Sequence, residues 1–231
     1  MEGASQIRVV SSMATKRLLE ELTGRFESTS PLRIALESTG GVDAAKRVRA
    51  GEAFDIIVLA GDVIDALTSE GRIVEGSRAD VVKSPVAIAV RAGAPRPDVR
   101  SAEAVKRAVL DAASIGYSTG PSGTYLGTLF AKWGIADAVK DRIVIAPPGV
   151  PVASLVAKGD VALGFQQLSE LIAAEGIDVI GLLPDEIQFV TTFSGGIAHA
   201  SAHPDDARQV LEFFAAPHTA EVKRRHGMEQ P

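Results

Sequence analysis

The 231-residue chain contains no cysteine, which excludes a disulfide framework, a thiolate nucleophile and any thiolate-bound metal. Long apolar runs are missing as well. No stretch reaches the roughly 18 residues that span a bilayer, and no basic n-region with an apolar h-region stands at the N-terminus, so membrane insertion is not expected. Positive charge is scarce: 24 Lys and Arg against 29 Asp and Glu give a net charge of -5 and a pI near 5.4. Phosphate backbones demand clustered cations, so nucleic acid is not the expected partner. The one basic run, Lys223-Arg224-Arg225-His226, reads as the solvated last turn of a helix, where cations suit the dipole. The histidines, His199, His203, His218 and His226, lie near the C-terminus, and Pro204 directly after His203 argues against a helical metal pair with His199. Neither a metal nor a cofactor is expected.

What remains is ordinary for a globular protein that buries a sizeable core: 46% hydrophobic and 23% charged residues. Apolar, β-branched strands alternate with amphipathic helices. Strands are predicted at 7–10, 32–36, 54–59, 86–90, 115–117, 143–145, 162–165, 179–182 and 188–200, and helices at 14–27, 42–50, 62–70, 101–112, 125–133, 152–158, 168–175 and 205–215, with a last helix closing the chain. A kink at 147–151 separates two of them. This is the α/β pattern: two lobes, each a mostly parallel sheet flanked by helices. Lobe 1 is expected over 1–83 plus 192–231 and lobe 2 over 84–191, so the chain crosses between lobes twice, with a ligand cleft between them.

Three strand-to-helix turns carry the chemistry. The first is Ser118-Thr119-Gly120-Pro121-Ser122-Gly123-Thr124-Tyr125, the second Ser11-Ser12 and the third Ser38-Thr39-Gly40-Gly41. Each points hydroxyls and unpaired backbone N–H groups at one spot where a helix N-terminus favours negative charge. A single Ser or Thr of this kind is as readily an N-cap that starts its helix. Three such turns at strand ends suggest one shared small anion, with donation from the side chains of Ser12, Thr39, Ser118, Ser122 and Gln167 and from the N–H groups of Gly40 and Gly123.

The same residues resemble the molybdate-binding proteins and their relatives, the type 2 periplasmic solute-binding proteins of ABC importers, over nearly the whole chain. The family's first strand ends in an Ala-Ala-Ser-Leu-like turn, similar to Val10-Ser11-Ser12-Met13. Its Gly-Ser-Ser-Gly-like turn is similar to Glu37-Ser38-Thr39-Gly40, and its Pro-Ala-Gly-x-Tyr turn to Pro121-Ser122-Gly123-Thr124-Tyr125. Its Gly-x-x-Tyr-x-Thr-Asp segment resembles Gly164-Phe165-Gln166-Gln167-Leu168-Ser169-Glu170. The resemblance implies a type 2 periplasmic-binding-protein fold, a monomer that closes on its ligand by a hinge, and an ABC permease as partner. The family's oxyanion contacts fall on Ser12, Thr39, Ser122, Val152 and Gln167, with Ser11, Gly40, Ser118, Gly123 and Tyr125 beside them. At Gln167 an amide replaces a Tyr hydroxyl, and the extra room suits a small organic carboxylate better than molybdate.

Some proteins of this fold and motif set resemble aconitate isomerase, which moves a double bond in a tricarboxylate by proton transfer. That chemistry needs a general base beside an allylic C–H and donors for the developing charge. The candidate bases are Glu37, Tyr125, Glu170 and His199. The resemblance implies the periplasm where a signal peptide precedes the chain and the cytoplasm where none does.

Overall fold

The β-branched runs of the sequence form the strands. A computed structural model of the chain describes residues 6–147 and 149–231; residues 1–5 and Pro148, which belongs to the kink expected at 147–151, lie outside the described residues. The chain divides into two units, Met1–Lys83 with Thr192–Pro231 and Ser84–Thr191, called here the terminal and the central unit.

In the terminal unit, β1 (Gln6–Ser12) pairs in parallel with β2 (Arg33–Thr39) and β3 (Ile56–Ala60), and β3 pairs antiparallel with β9 (Val190–Ile197). Two apolar layers cover this sheet. One is built on α1 (Lys16–Glu27), where the spacing of Leu18, Leu22 and Phe26 puts them on one buried face, together with α9 (Pro204–Ala215) and α10 (Ala220–Arg225). The other is built on α2 (Gly41–Arg49) and α3 (Gly61–Ser69), whose Ala45, Val48, Ile64 and Leu67 pack on Val10, Ile57 and Leu59. Alternation along β1 thus sends Val9 to one layer and Val10 to the other.

In the central unit, β5 (Ile115–Tyr117) pairs in parallel with β6 (Ile143–Ile145) and β7 (Leu163–Gln167). The strand β4 (Ala79–Arg91) pairs antiparallel with β7 and with β8 (Ile177–Leu182). The core lies between this sheet, α4 (Ala102–Asp111) and α5 (Pro121–Lys132), around Phe130, Phe165, Val105 and Val109. On the other face, α7 (Val152–Lys158) packs so closely that a Cβ on Gly164 would stand 2.5 Å from Val156 and 3.2 Å from Val152. A two-residue step along the strand keeps a side chain on the same face, so Gln166 shares the α7 face with Gly164 and Gln167 shares the α5 face with Phe165.

The sheets are therefore mixed, because β4 and β9 run against their neighbours. Several bounds differ from the sequence reading. The strand expected at 86–90 begins at Ala79, masked by the polar run Asp80, Lys83, Ser84 and by Pro85. The helix expected from Tyr125 begins at Pro121, in the first-turn position that proline favours. The helix expected over 168–175 is only α8 (Leu168–Leu171), since Gly176, with φ +77°, turns the chain into β8. The short helix α6 (Ala136–Val139) went unpredicted because four residues carry no period.

Candidate functional site

In the terminal unit, parallel register sets Ser11 beside Ser38 and Ser12 beside Thr39 at the carboxyl ends of β1 and β2. Ser11 is wholly buried and its hydroxyl lies 2.7 Å from that of Ser38. The Ser12 hydroxyl accepts from the Ala14 N–H at 3.3 Å, an N-cap of the single helical turn Met13–Thr15. Thr39 leads into Gly40, the N-cap of α2, and no side chain caps that helix, so its first N–H groups point out from the strand end. At the end of β3, α3 likewise starts without a side-chain cap. There Ser194 donates to Asp80 at 2.6 Å, and Arg78 bridges Asp80, at 3.0 Å, to Asp65. Arg78 is a cation that sequence reading missed, since nothing in a linear motif ties position 78 to Gly61.

In the central unit, the turn after β5 is forced by Gly123. A Cβ there would lie 1.7 Å from the Ser118 carbonyl oxygen and 3.0 Å from the Tyr117 ring, so only glycine lets the start of α5 tuck under its strand. The Ser118 hydroxyl accepts from the Gly120 N–H at 3.4 Å, Ser122 is buried in the first turn, and no side chain caps the helix. Extending the pairing of Gly116 with Gly164 by two residues brings Ser118 level with Gln166. Both glutamines at this strand end are buried, 3% and 2% exposed. Gln167 Nε2 donates to Thr191 Oγ1 at 2.7 Å, Gln166 Nε2 donates to Glu170 Oε1 at 2.7 Å, and neither Oε1 has a partner among the described residues. The unpaired oxygens are the feature sequence reading could not supply, because they depend on which neighbours the fold withholds.

The four candidate bases separate. Glu37 is tied to Arg47 (Nη2 to Oε2, 2.9 Å), whose hydrogen bonds hold its carboxyl below the usual range and make it a poor proton acceptor. The Tyr125 hydroxyl donates to the Ile187 carbonyl at 2.8 Å and its ring stacks on Phe189 at 4.7 Å. Burial raises its phenol; it packs rather than reacts. His199 is exposed beyond the end of β9 that lies beside Asp55, whereas Ser12 and Thr39 stand at the other end of the sheet. Glu170 differs from all three. Burial raises its carboxyl to about 8, only partly offset by Gln166, so it is mostly neutral at pH 7 although its surface is not wholly covered. Val152 opens α7 on the face that carries Gln166.

A cavity of about 490 Å³ in the central unit lies elsewhere, lined by Val90, Pro97, Arg107, Asp111 and Leu163. Leu163 begins β7 and Gln167 ends it, so the cavity and the glutamines occupy opposite ends of the sheet. Among the described residues no group of three His, Cys, Asp or Glu is gathered as a metal site. No helix of the described residues is long and apolar enough to cross a membrane.

Residues 7–229 match the family described as bacterial extracellular solute-binding protein. The chain belongs to that family. It is 34% identical to an aconitate isomerase from a Pseudomonas species over 99% of this chain and 89% of that one. Among solved structures it resembles the periplasmic molybdate-binding protein of Azotobacter vinelandii, at 20% identity and a TM-score of 0.80, over 97% of this chain and 99% of that one. It also resembles the sulfate-binding protein of Mycobacterium tuberculosis, at 14% identity and a TM-score of 0.78, over 97% and 86% of the two chains. These two likenesses establish the solute-binding fold.

Proposed function

We propose that this protein binds a small organic carboxylate, held by the hydroxyls and helix-start N–H groups of Ser12, Thr39 and Gly40 from one unit and of Ser118, Ser122 and Gly123 from the other, with Gln167. Capture of one ligand by both sets, with hinge closure, is part of the proposal, as are delivery to an ABC permease and a periplasmic setting. The observation that carries it is the 34% identity to an aconitate isomerase along the whole chain. The likeness to molybdate and sulfate binders, at 20% and 14% identity, extends to the fold alone. Hydroxyls, an amide and backbone N–H groups suit planar carboxylate oxygens without a full countercharge.

Ligand linkage supplies the test, because a molecule that binds only the native state raises the melting temperature with its concentration. Trans-aconitate, citrate and shorter dicarboxylates are expected to stabilise the protein, and molybdate, tungstate and sulfate are not. Stabilisation by the tetrahedral oxyanions with none by the carboxylates would overturn the reading.

The same relative supports a second reading, in which the protein isomerises the acid it binds. A base removes an allylic C–H proton, the double bond shifts, and a proton returns at the other end of the allyl unit. Following the ultraviolet absorbance of trans-aconitate with added protein decides between the two. Stabilisation without conversion leaves a binder.

A further inference from the structure

An orphaned acceptor inside a protein costs about 1–3 kcal/mol, so a buried amide oxygen without a donor marks a place where a partner belongs. Gln166 has such an oxygen, is 3% exposed, and is fixed at its other end by Glu170 at 2.7 Å. An amide can turn by half a rotation and exchange its oxygen and nitrogen ends. Which end faces outward depends on Glu170: an ionised carboxylate only accepts, so it holds Nε2 and leaves Oε1 outward. A neutral carboxyl can donate, so it can hold Oε1 and leave the NH2 group outward.

We propose that Gln166 contacts the ligand's carboxylate through its amide N–H, and that Glu170 is the positioning residue that turns it by donating an O–H hydrogen bond to Gln166 Oε1. The inference rests on the carboxylate reading above. Gln166 is placed for the contact: it lies at the end of β7, two residues past the Gly164 that pairs with Gly116 of β5, on the face covered by α7 and α8. Burial raises the Glu170 carboxyl to about 8, and among the described residues the other group acting on it is Gln166. The charged residues of the packed elements are engaged or distant. Asp178 of β8 is held by the Gly93 N–H at 3.1 Å and Arg96 at 3.0 Å. Lys158 ends α7, and Arg91 ends β4 beside Gly159. The pair would thus discriminate by chemistry: a carboxylate takes the N–H, and the site loses it when Glu170 ionises.

Calorimetric titration of trans-aconitate between pH 7 and 9.5 tests this on the full chain. Wild-type affinity is expected to fall beyond about pH 8, approaching about tenfold per pH unit. Glu170→Gln carries a permanent donor and is expected to bind as wild type does at pH 7 with a flat profile. Gln166→Ala is expected to lose about tenfold or more at pH 7. A flat wild-type profile, or a slope retained in Glu170→Gln, overturns the inference and leaves the carboxylate reading standing. No wild-type binding at pH 7 overturns both.

Discussion

The two units end their central strands differently. In the terminal unit the polar groups at the strand ends satisfy one another: Ser11 pairs with Ser38, Ser12 caps its own turn, and Ser194, Asp80 and Arg78 form a chain. In the central unit the backbone is locked by Gly123 while two buried amide oxygens are left without a partner among the described residues. One side bonds several strand-end side chains to one another above uncapped helix starts, and the other is a rigid turn with unmet buried amide oxygens. Unmet buried groups cost stability, so a fold that keeps them at one strand end marks that end for a partner.

The sharpest way to break this contrast is to add one methyl group to each turn. Gly123→Ala drives a Cβ to 1.7 Å from the Ser118 oxygen, so the turn must open, at about 3 kcal/mol of stability or more. Gly40→Ala meets only Asp43 Oδ2, at 3.6 Å, and should shift stability by less than about 0.5 kcal/mol. Urea unfolding of the two variants measures both, and equal losses would remove the distinction.

That difference marks what the sequence shows and what it hides. Strand–helix alternation and the three hydroxyl-bearing turns were readable because period and turn chemistry are local. The α/β class follows from them, and the resemblance to molybdate binders agrees with the family that the chain matches. The antiparallel course of β4 and β9 was not readable, since strand direction is set by partners distant in the chain. A motif records Tyr125 as a residue type and not the hydrogen bond that its hydroxyl gives to Ile187. Gln166 and Gln167 are adjacent in sequence and face opposite layers, so only the register of β7 tells them apart.

Each unit holds a titratable group whose charge burial penalises and that has no ionic partner among the described residues, Lys223 in one and Glu170 in the other, and the two should respond to pH as mirror images. Burial lowers Lys223 of the terminal unit to about 8, and its ammonium donates to Gln230 Oε1 at 2.8 Å. Below about pH 8 the ammonium is charged in both folded and unfolded chains, so the full penalty applies; it fades as pH rises toward the unfolded value of 10.5. Lys223→Met should therefore gain about 3 kcal/mol at pH 7 and nothing near pH 11. Glu170 runs the other way. Its penalty is absent below the ordinary value of 4.5, grows as pH rises, and is complete above about 8. Glu170→Gln should be more stable than wild type at pH 9 and equal to it at pH 4. Melting curves across pH check both signs, and a parallel response would sink the assignment of either environment.

Among the hydroxyls, the contrast predicts that stability and binding part company. Ser12→Ala should cost about 1 kcal/mol of stability through its lost cap on top of its share of carboxylate affinity. Thr39→Ala and Ser122→Ala should instead cost roughly 1.5–3 kcal/mol of carboxylate affinity. If melting falls at positions 39 and 122 while affinity holds, those hydroxyls serve the fold alone.

The smallest effect is expected at Glu37, where the terminal unit offers its own carboxyl near the strand end. Arg47 holds that group ionised and is itself shared with Glu52 at 2.6 Å, and exposed pairs of this kind contribute about 0–1 kcal/mol. Glu37→Gln should leave carboxylate binding and any isomerisation unchanged. A loss of turnover in that variant, with binding intact, would place the base of an isomerisation at Glu37 in the terminal unit.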